Sequence, residues 1–185
     1  MNNWTWYVIL IGWAAWAVYW LIMALTAART IERRAAVRDR LVVVLVAVAW
    51  ALIRPFQGSS QLWMTHVALG VLSDCLFLAG AAFTVWARIT LGRNWSPEVA
   101  FKQDQELVQT GPYALVRHPI YAGLLTMALA TAIHYGRASS MVVFGLLCVG
   151  AWLKSRQEEK LMTDHFPDVY PSYKERVPAL IPFVL

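Results

Sequence analysis

The sequence predicts an all-α protein that crosses a membrane about five times. Of its 185 residues, 59% are hydrophobic, whereas an ordinary soluble domain has about 45–50%. The mean hydropathy is +0.50, and long uncharged runs alternate with short polar segments. The formal net charge is +5, but the basic residues cluster at the ends of the apolar runs. There they are typical topology signals and contacts to membrane lipids, so the charge does not indicate nucleic-acid binding.

Three apolar runs make up the first half of the chain. Residues 4–28 and 62–91 are each long enough to span, since a crossing needs about 20 residues. The first run lacks the basic start of a cleaved signal peptide and is predicted to stay as a span. The run 41–53 is short, so its helix is predicted to begin within 35–40, with the arginines snorkelling to the surface.

Two more apolar runs follow a long polar segment. Part of the polar segment, 99–108, is predicted to be a short strand or an amphipathic piece. The fourth and fifth runs, 119–135 and 141–153, are separated by so few residues that they are predicted to form an antiparallel helical hairpin. The last helix meets no stop signal and is predicted to continue to about residue 166, before Pro167.

The distribution of basic residues predicts the orientation. Five spans place the termini on opposite sides, and cytosolic segments carry the excess of Lys and Arg. Residues 29–40, 88–117 and 154–176 hold nearly all of the Lys and Arg. The N-terminus is therefore predicted outside, and the C-terminus in the cytosol. The chain divides into three N-terminal spans, 1–91, and a C-terminal unit, 92–185, whose polar segments share the cytosolic face.

The first span carries a stripe of tryptophans. Trp6, Trp13 and Trp20 recur every seven residues, with Trp16 on the same face. The stripe either lines a groove for a lipid substrate or packs on a neighbouring helix, and packing is the commoner use of such a stripe.

The third run carries a carboxylate at membrane depth, where an ionisable group costs a few kcal/mol. Asp74 therefore faces protein or water, either in a polar seam with His66, two turns earlier, or as a packing group. Cys75 and Cys148 lie within apolar runs, which predicts buried free thiols. No metal-binding spacing of Cys or His occurs in the sequence.

A corner before the fourth run is the most distinctive feature. Gly111-Pro112 ends the preceding segment, and Pro119 suits the first position of a helix. The free N–H groups of that helix start, with Arg117 and His118 beside them, suit an anion such as a carboxylate at the membrane surface. Alternatively, both side chains are interfacial anchors.

The hairpin brings this corner close to two acidic residues. Since the fourth run starts where the fifth helix ends, Arg117 and His118 are predicted to lie near Glu158 and Glu159. These opposite charges either form a structural ion pair or recognise a zwitterion, one group taking its ammonium and the other its carboxylate.

An ordered set of motifs in the C-terminal half resembles the isoprenylcysteine carboxyl methyltransferase family. The set is Leu107-Val108-x-x-Gly111-Pro112-Tyr113, Val116-Arg117-His118-Pro119-x-Tyr121-x-Gly123, Glu158-Glu159, Phe166, Tyr170-x-x-Tyr173-x-x-Arg176-Val177-Pro178 and Ile181-Pro182. The resemblance implies an integral membrane enzyme that uses S-adenosyl-L-methionine. It also implies a methyl acceptor that enters sideways from the bilayer, and a lid formed by the polar segment and the tail.

The resemblance also implies the residues of the site. The predicted cofactor-binding residues are Leu107, Val108, Gly111, Tyr113, His118, Tyr121 and Glu158, and the predicted catalytic residues are Arg117, Arg176 and Glu159. In this scheme a glutamate holds the cofactor ammonium, and the arginines hold an acceptor carboxylate bidentately. A carboxylate is already ionised at neutral pH, so it needs positioning but no general base.

The acceptor is left open. Phe166-Pro167 stands where the family commonly has Phe-Gly, and the short chain shows no added segment for a protein substrate. These features suggest a prokaryotic-type enzyme of the cytoplasmic membrane that acts on a small lipophilic acid or thiol, whereas the resemblance itself implies an isoprenylcysteine-like carboxylate. The alternatives are a phospholipid N-methyltransferase, an NADPH-dependent protein similar to sterol reductases, and a non-catalytic membrane protein.

Overall fold

The computed structural model describes residues 4–24, 30–33, 61–64, 66–95, 100–102 and 106–181. Within these ranges five α-helices follow one another: α1 (Trp4–Ala24), α2 (Val67–Leu91), α3 (Pro119–Tyr135), α4 (Ala138–His165) and α5 (Tyr170–Arg176). Short 3-10 turns lie at Gly92–Asn94 and Gly111–Ala114. The predicted second span, 41–53, lies outside the described residues, so the number of five spans stays a prediction.

Three of these helices are long and apolar enough to cross a membrane, over Trp4–Met23, Val67–Leu91 and Ala138–His165. The remaining long helix, α3, has 17 residues. At about 1.5 Å per residue it falls a little short of a hydrocarbon core of about 30 Å. It is the shorter arm of the hairpin.

A small sheet is added to the predicted all-α architecture. Strand β1 (Thr30–Arg33) pairs antiparallel with β2 (Ala100–Lys102). The second strand confirms the short strand predicted within 99–108. The first was missed because it lies in a basic segment with no alternating hydrophobic pattern, and only its partner strand reveals its pairing.

The start of α2 explains the role of His66. This residue is the N-cap, and its Nδ1 accepts a hydrogen bond from the backbone N–H of Leu69 at 3.3 Å. Asp74 is buried within α2, at 5% exposure. Neither carboxylate oxygen of Asp74 has a hydrogen-bond partner in the described part of the chain, and His66 satisfies the end of its own helix.

The fourth and fifth runs form the predicted hairpin. Helix α3 ends at Gly136, which is left-handed at φ +62° and donates its N–H to the carbonyl of Ala132. A left-handed C-cap favours glycine because a Cβ is disfavoured there. Helix α4 then begins at Ala138 and runs without a break to His165, which confirms that the fifth run continues far beyond its apolar part.

Helices α2 and α3 pack closely through two glycines. A Cβ on Gly80 would lie 2.8 Å from the carbonyl oxygen of Gly123, and a Cβ on Gly123 would lie 2.6 Å from a methyl of Thr84. Small residues let the two backbones approach. The buried core beside this contact joins α1, α2 and α3 and consists of Ile9, Phe77, Met127 and Ala130.

Candidate functional site

A cavity of about 340 Å³ lies where α1, the start of α3, the end of α4 and α5 meet the segment 106–113. Seven of the ten predicted site residues line it: Leu107, Val108, Tyr113, Arg117, His118, Tyr121 and Glu158. The other three, Gly111, Glu159 and Arg176, are not among its lining residues. The tertiary structure thus gathers most of the motif around one space, although the motif residues are spread over 52 positions between Leu107 and Glu158.

The polar end of the cavity is built on Glu158. Tyr121 donates its hydroxyl hydrogen to Glu158 Oε1, and His118 Nδ1 lies 3.4 Å from Glu158 Oε2. The Glu158 side chain is 28% exposed, and that of Glu159 only 6%. Of the two acidic residues, Glu158 is therefore the one whose side chain a ligand in the cavity can contact.

His118 stands between the two acidic residues. Its other ring nitrogen, Nε2, lies 3.4 Å from Glu159 Oε1. Burial lowers the pKa of His118, but the hydrogen bonds to Glu158 and Glu159 outweigh it, so the pKa is raised above its ordinary value. A ring with a carboxylate at each nitrogen is stable as the imidazolium, which has two N–H donors.

Arg117 is held by the protein around it. Its Nε and Nη2 donate to Glu159 Oε1 at 3.0 and 2.6 Å. Its Nη1 donates to the backbone carbonyls of Lys174, at 2.9 Å, and Val177. Lys174 Nζ reaches the second oxygen of Glu159 at 2.8 Å. This network has the form of the structural ion pair that the sequence left open as one of two possibilities.

The tail, which is the segment 166–181 after α4, is joined to the corner by main-chain hydrogen bonds. The backbone N–H groups of Arg117 and His118 donate to the carbonyls of Pro178 and Ala179, at 2.8 and 3.0 Å. The Tyr173 hydroxyl donates to the Tyr113 carbonyl at 2.6 Å. The tail therefore closes one side of the cavity, to which it contributes Tyr170 and Tyr173.

The phenols of this wall are neutral at physiological pH. Burial raises the pKa of Tyr113 and of Tyr170 far above the ordinary value, and it raises the pKa of Tyr173 to about 12. These side chains thus present aromatic faces and uncharged hydroxyls to the cavity.

Residues 72–164 match the model of the isoprenylcysteine carboxyl methyltransferase (ICMT) family, which is half of the chain. The chain belongs to this family. Protein-S-isoprenylcysteine O-methyltransferase of Schizosaccharomyces pombe is 35% identical over 63% of this chain and 49% of its own. Protein-S-isoprenylcysteine O-methyltransferase B of Arabidopsis thaliana is 28% identical over 70% of this chain and 65% of its own.

Another curated protein and a solved structure are also similar to the chain. The nickel-cobalt-cadmium resistance protein NccN of Alcaligenes xylosoxydans xylosoxydans is 28% identical over 78% of this chain and 65% of its own. The structure of the eukaryotic intramembrane Ras methyltransferase ICMT aligns with 82% of this chain and 54% of that one, at a TM-score of 0.54 and 21% identity. That likeness shows a common intramembrane fold. The chain spans about half to two thirds of the length of these curated relatives.

Two family-motif residues lie beside the cavity without lining it. Gly111 has φ +59°, and a Cβ there would lie 3.3 Å from Thr90 Oγ1, so it shapes the turn before Tyr113. Arg176 is exposed, and it bonds to the Ser172 carbonyl at 3.1 Å and to Gln109 Oε1 at 3.4 Å. It braces the helix α5 against the segment before the corner.

The tryptophan stripe of α1 packs on neighbouring helices and also reaches the cavity. Trp13 donates to Thr131 Oγ1 at 3.1 Å and packs edge-on against Phe77. Trp16 and Trp20 stack on each other with ring centroids 4.7 Å apart and line the cavity. The seven-residue spacing in the sequence shows the shared face, but only the position of α1 divides it into a packing half and a cavity half.

Trp95 and Lys154 are among the cavity-lining residues that sequence reasoning missed. Trp95 follows α2 and meets Trp20 edge-on, with centroids 5.9 Å apart. Lys154 lies one turn before Glu158 on the same face of α4 and also lines the cavity. The spacing of four residues between Lys154 and Glu158 was a usable signal, because such residues share one helix face.

Proposed function

We propose that this protein transfers a methyl group from S-adenosyl-L-methionine to the carboxylate of a lipophilic acceptor at the cytosolic membrane surface. The observation that carries the proposal is the cluster of Glu158, His118 and Tyr121 at the polar end of an otherwise largely apolar and aromatic cavity. Membership of the ICMT family supports it. In this proposal the N-terminus lies outside and the corner lies in the cytosol.

The donor set fits the cofactor. S-adenosyl-L-methionine carries an amino-acid zwitterion, a sulfonium and an adenosine. Glu158 would bind the ammonium, since its side chain is partly open to the cavity, and the His118 imidazolium would hold Glu158 in place. When bound, the cofactor supplies an electrophilic methyl group on sulfur.

The residues of the chain would act by positioning. A carboxylate oxygen of the acceptor forms the new bond to the methyl carbon, and the electron pair of the breaking carbon–sulfur bond stays on sulfur. The acceptor releases no proton, so no side chain has to act as a general base. Glu158 and His118 fix one end of the donor, and the aromatic wall excludes water.

Lys154 is a cavity-lining cation that would lie beside an acceptor carboxylate. The sequence suggested Arg117 and Arg176 for this role, but Arg117 makes four hydrogen bonds within the protein, and Arg176 does not line the cavity. Lys154 lies one helical turn from Glu158 toward the apolar part of α4. There its ammonium would favour an anion beside the methyl donor.

Calorimetric titration of the purified protein with S-adenosylhomocysteine tests the cofactor half of the proposal. Transfer of a labelled methyl group to an S-farnesylated cysteine derivative, compared with the derivative blocked as its methyl ester, tests the acceptor half. Saturable binding with transfer to the free acid alone supports the proposal. Tight binding of NADPH in place of S-adenosylhomocysteine overturns it.

A second candidate, N-methylation of a phospholipid amine, is favoured by the acidic and aromatic lining around Glu106, Glu158 and Trp95. Methyl incorporation into vesicles of phosphatidylethanolamine, with none into the farnesylated acid, would place this candidate first.

A further inference from the structure

Arg88 is the largest side chain that is fully buried in the described part of the chain, at 0% exposure. It lies in the last turn of α2, four residues before Gly92. A buried guanidinium needs partners for its donors, since an unsatisfied buried charge is strongly destabilising. The partners of Arg88 therefore indicate why the charge is there.

Two of those partners are carbonyls at helix ends. Arg88 Nη2 donates to the Met23 carbonyl, in the last turn of α1, at 2.6 Å. Arg88 Nη1 donates to the Gly92 carbonyl, directly after α2, also at 2.6 Å. The last carbonyls of a helix have no partner within it, and a cation there is favourable. One guanidinium thus joins the ends of two helices.

The same guanidinium lies against the cavity wall. Its carbon is 4.8 Å from the ring centroid of Trp95, and Trp95 meets Trp20 of α1 edge-on. Both indoles line the cavity. Arg88 therefore touches both of the elements that carry this pair of indoles, and touches one of the indoles directly.

We propose that Arg88 is a positioning residue that fixes α1 against the turn after α2 and so sets the Trp20–Trp95 wall for the apolar part of the acceptor. Near its C-terminal end α1 is largely exposed, with Leu21 and Ile22 at 72% and 58% exposure, and the hydrogen bond from Arg88 to Met23 holds this end. The part of the inference that concerns the acceptor rests on the proposed methyl transfer, whereas the fixing of α1 does not.

Two variants separate the effect of the guanidinium geometry from the effect of the positive charge. Arg88→Lys keeps a cation but cannot reach two carbonyls in the geometry of a guanidinium. Arg88→Met removes the guanidinium donors that reach the Met23 and Gly92 carbonyls. Arg156→Met is the matched control, because Arg156 also lies over an indole, that of Trp152 at 5.5 Å, but outside the cavity.

The first readout does not depend on activity. Spin labels on cysteines at Ile22 and Ile89, both exposed, in a background without Cys75 and Cys148, report the distance from α1 to the end of α2. Both Arg88 variants should broaden or lengthen that distance distribution, and Arg156→Met should leave it unchanged. If Arg88→Met does not fold, the distance measurement on Arg88→Lys alone tests the proposal. An unchanged distribution in the Arg88 variants overturns the proposal, as does the same broadening in the control.

The second readout addresses the wall. In both Arg88 variants, KM for a farnesylated acid should rise about tenfold, the size expected from lost hydrogen bonds to a charged group, while affinity for S-adenosylhomocysteine stays close to wild type. If KM in the Arg88 variants equals KM in Arg156→Met, the proposal that Arg88 sets the Trp20–Trp95 wall for the acceptor is overturned. If the wild type neither binds S-adenosylhomocysteine nor transfers a methyl group, the proposed function fails, and the spin-label distance still decides the role of Arg88.

Discussion

Arg117 Nη2 lies 2.6 Å from Glu159 Oε1, and the two side chains are 9% and 6% exposed. The pair joins the corner before α3 to the end of α4, and Lys174 ties the tail to the same carboxylate. Removing one partner of a buried pair leaves the other charge uncompensated, which commonly costs about 3–5 kcal/mol.

Glu159→Gln should therefore lower the free energy of unfolding by about 3 kcal/mol. Thermal unfolding in detergent, followed by circular dichroism, measures this loss. Glu175→Gln, an exposed change in the neighbouring helix α5, is the control. A melting temperature of Glu159→Gln equal to that of the control would show that the pair contributes no net stability.

Glu158→Gln should instead weaken binding of the cofactor. A hydrogen bond to a charged group is worth about 1.5–3 kcal/mol, so affinity for S-adenosylhomocysteine should fall by about ten- to a hundredfold. Tyr121→Phe should cause a smaller loss, because it removes one donor to the same carboxylate. Calorimetry measures both, again beside Glu175→Gln. Wild-type affinity in Glu158→Gln would remove this residue from the cofactor site.

The stability that His118 contributes should depend on pH. Because its pKa is raised in the folded protein, its contribution is fully present below the ordinary pKa of about 6.5 and is lost as the pH rises through the raised folded value. The difference in melting temperature between wild type and His118→Gln should therefore narrow from pH 6 to pH 9. His66→Gln controls for the loss of an imidazole at the other end of the bundle. A difference that widens with pH contradicts this account.

Lys154→Met should weaken binding of the acceptor but not of the cofactor. We expect KM for a farnesylated acid to rise about tenfold, as for the loss of a charged hydrogen bond, with S-adenosylhomocysteine affinity within about threefold of wild type. Arg176→Met, outside the cavity, should leave both near wild type. Recovery of KM in Lys154→Arg would support an electrostatic role. An equal rise in KM for Arg176→Met would restore the acceptor role that the sequence suggested for Arg176.

Trp16→Ala should change which acceptors are used. The side chain lines the cavity and donates to Thr84 Oγ1 at 2.9 Å, so its loss enlarges the apolar end. The ratio of kcat/KM for long and short prenyl chains should shift toward the longer chain. Trp152→Ala, on the outer face of α4 at 52% exposure, is the matched control. An unchanged ratio would mean that the acceptor chain lies elsewhere.

The sequence alone determined the elements whose causes are local. Apolar run length predicted α1, α2 and the hairpin. Pro119 marked the start of α3, and the absence of a stop signal predicted that α4 continues past Leu153. The short turn at Gly136 then required Arg117 and His118 to lie near Glu158 and Glu159, a prediction that the distances confirm. Helix signals and chain reversal depend on neighbours in the sequence, so they can be read there.

The tertiary structure decided what each side chain does. Glu158 and Glu159 are adjacent in the sequence, yet consecutive helix positions point about 100° apart, so one faces the cavity and the other faces Arg117 and Lys174. The partners of Arg88 lie 65 and four residues away. No local pattern distinguishes Arg88 from the other arginines that flank apolar runs, because burial and hydrogen bonding depend on how α1 and α2 pack.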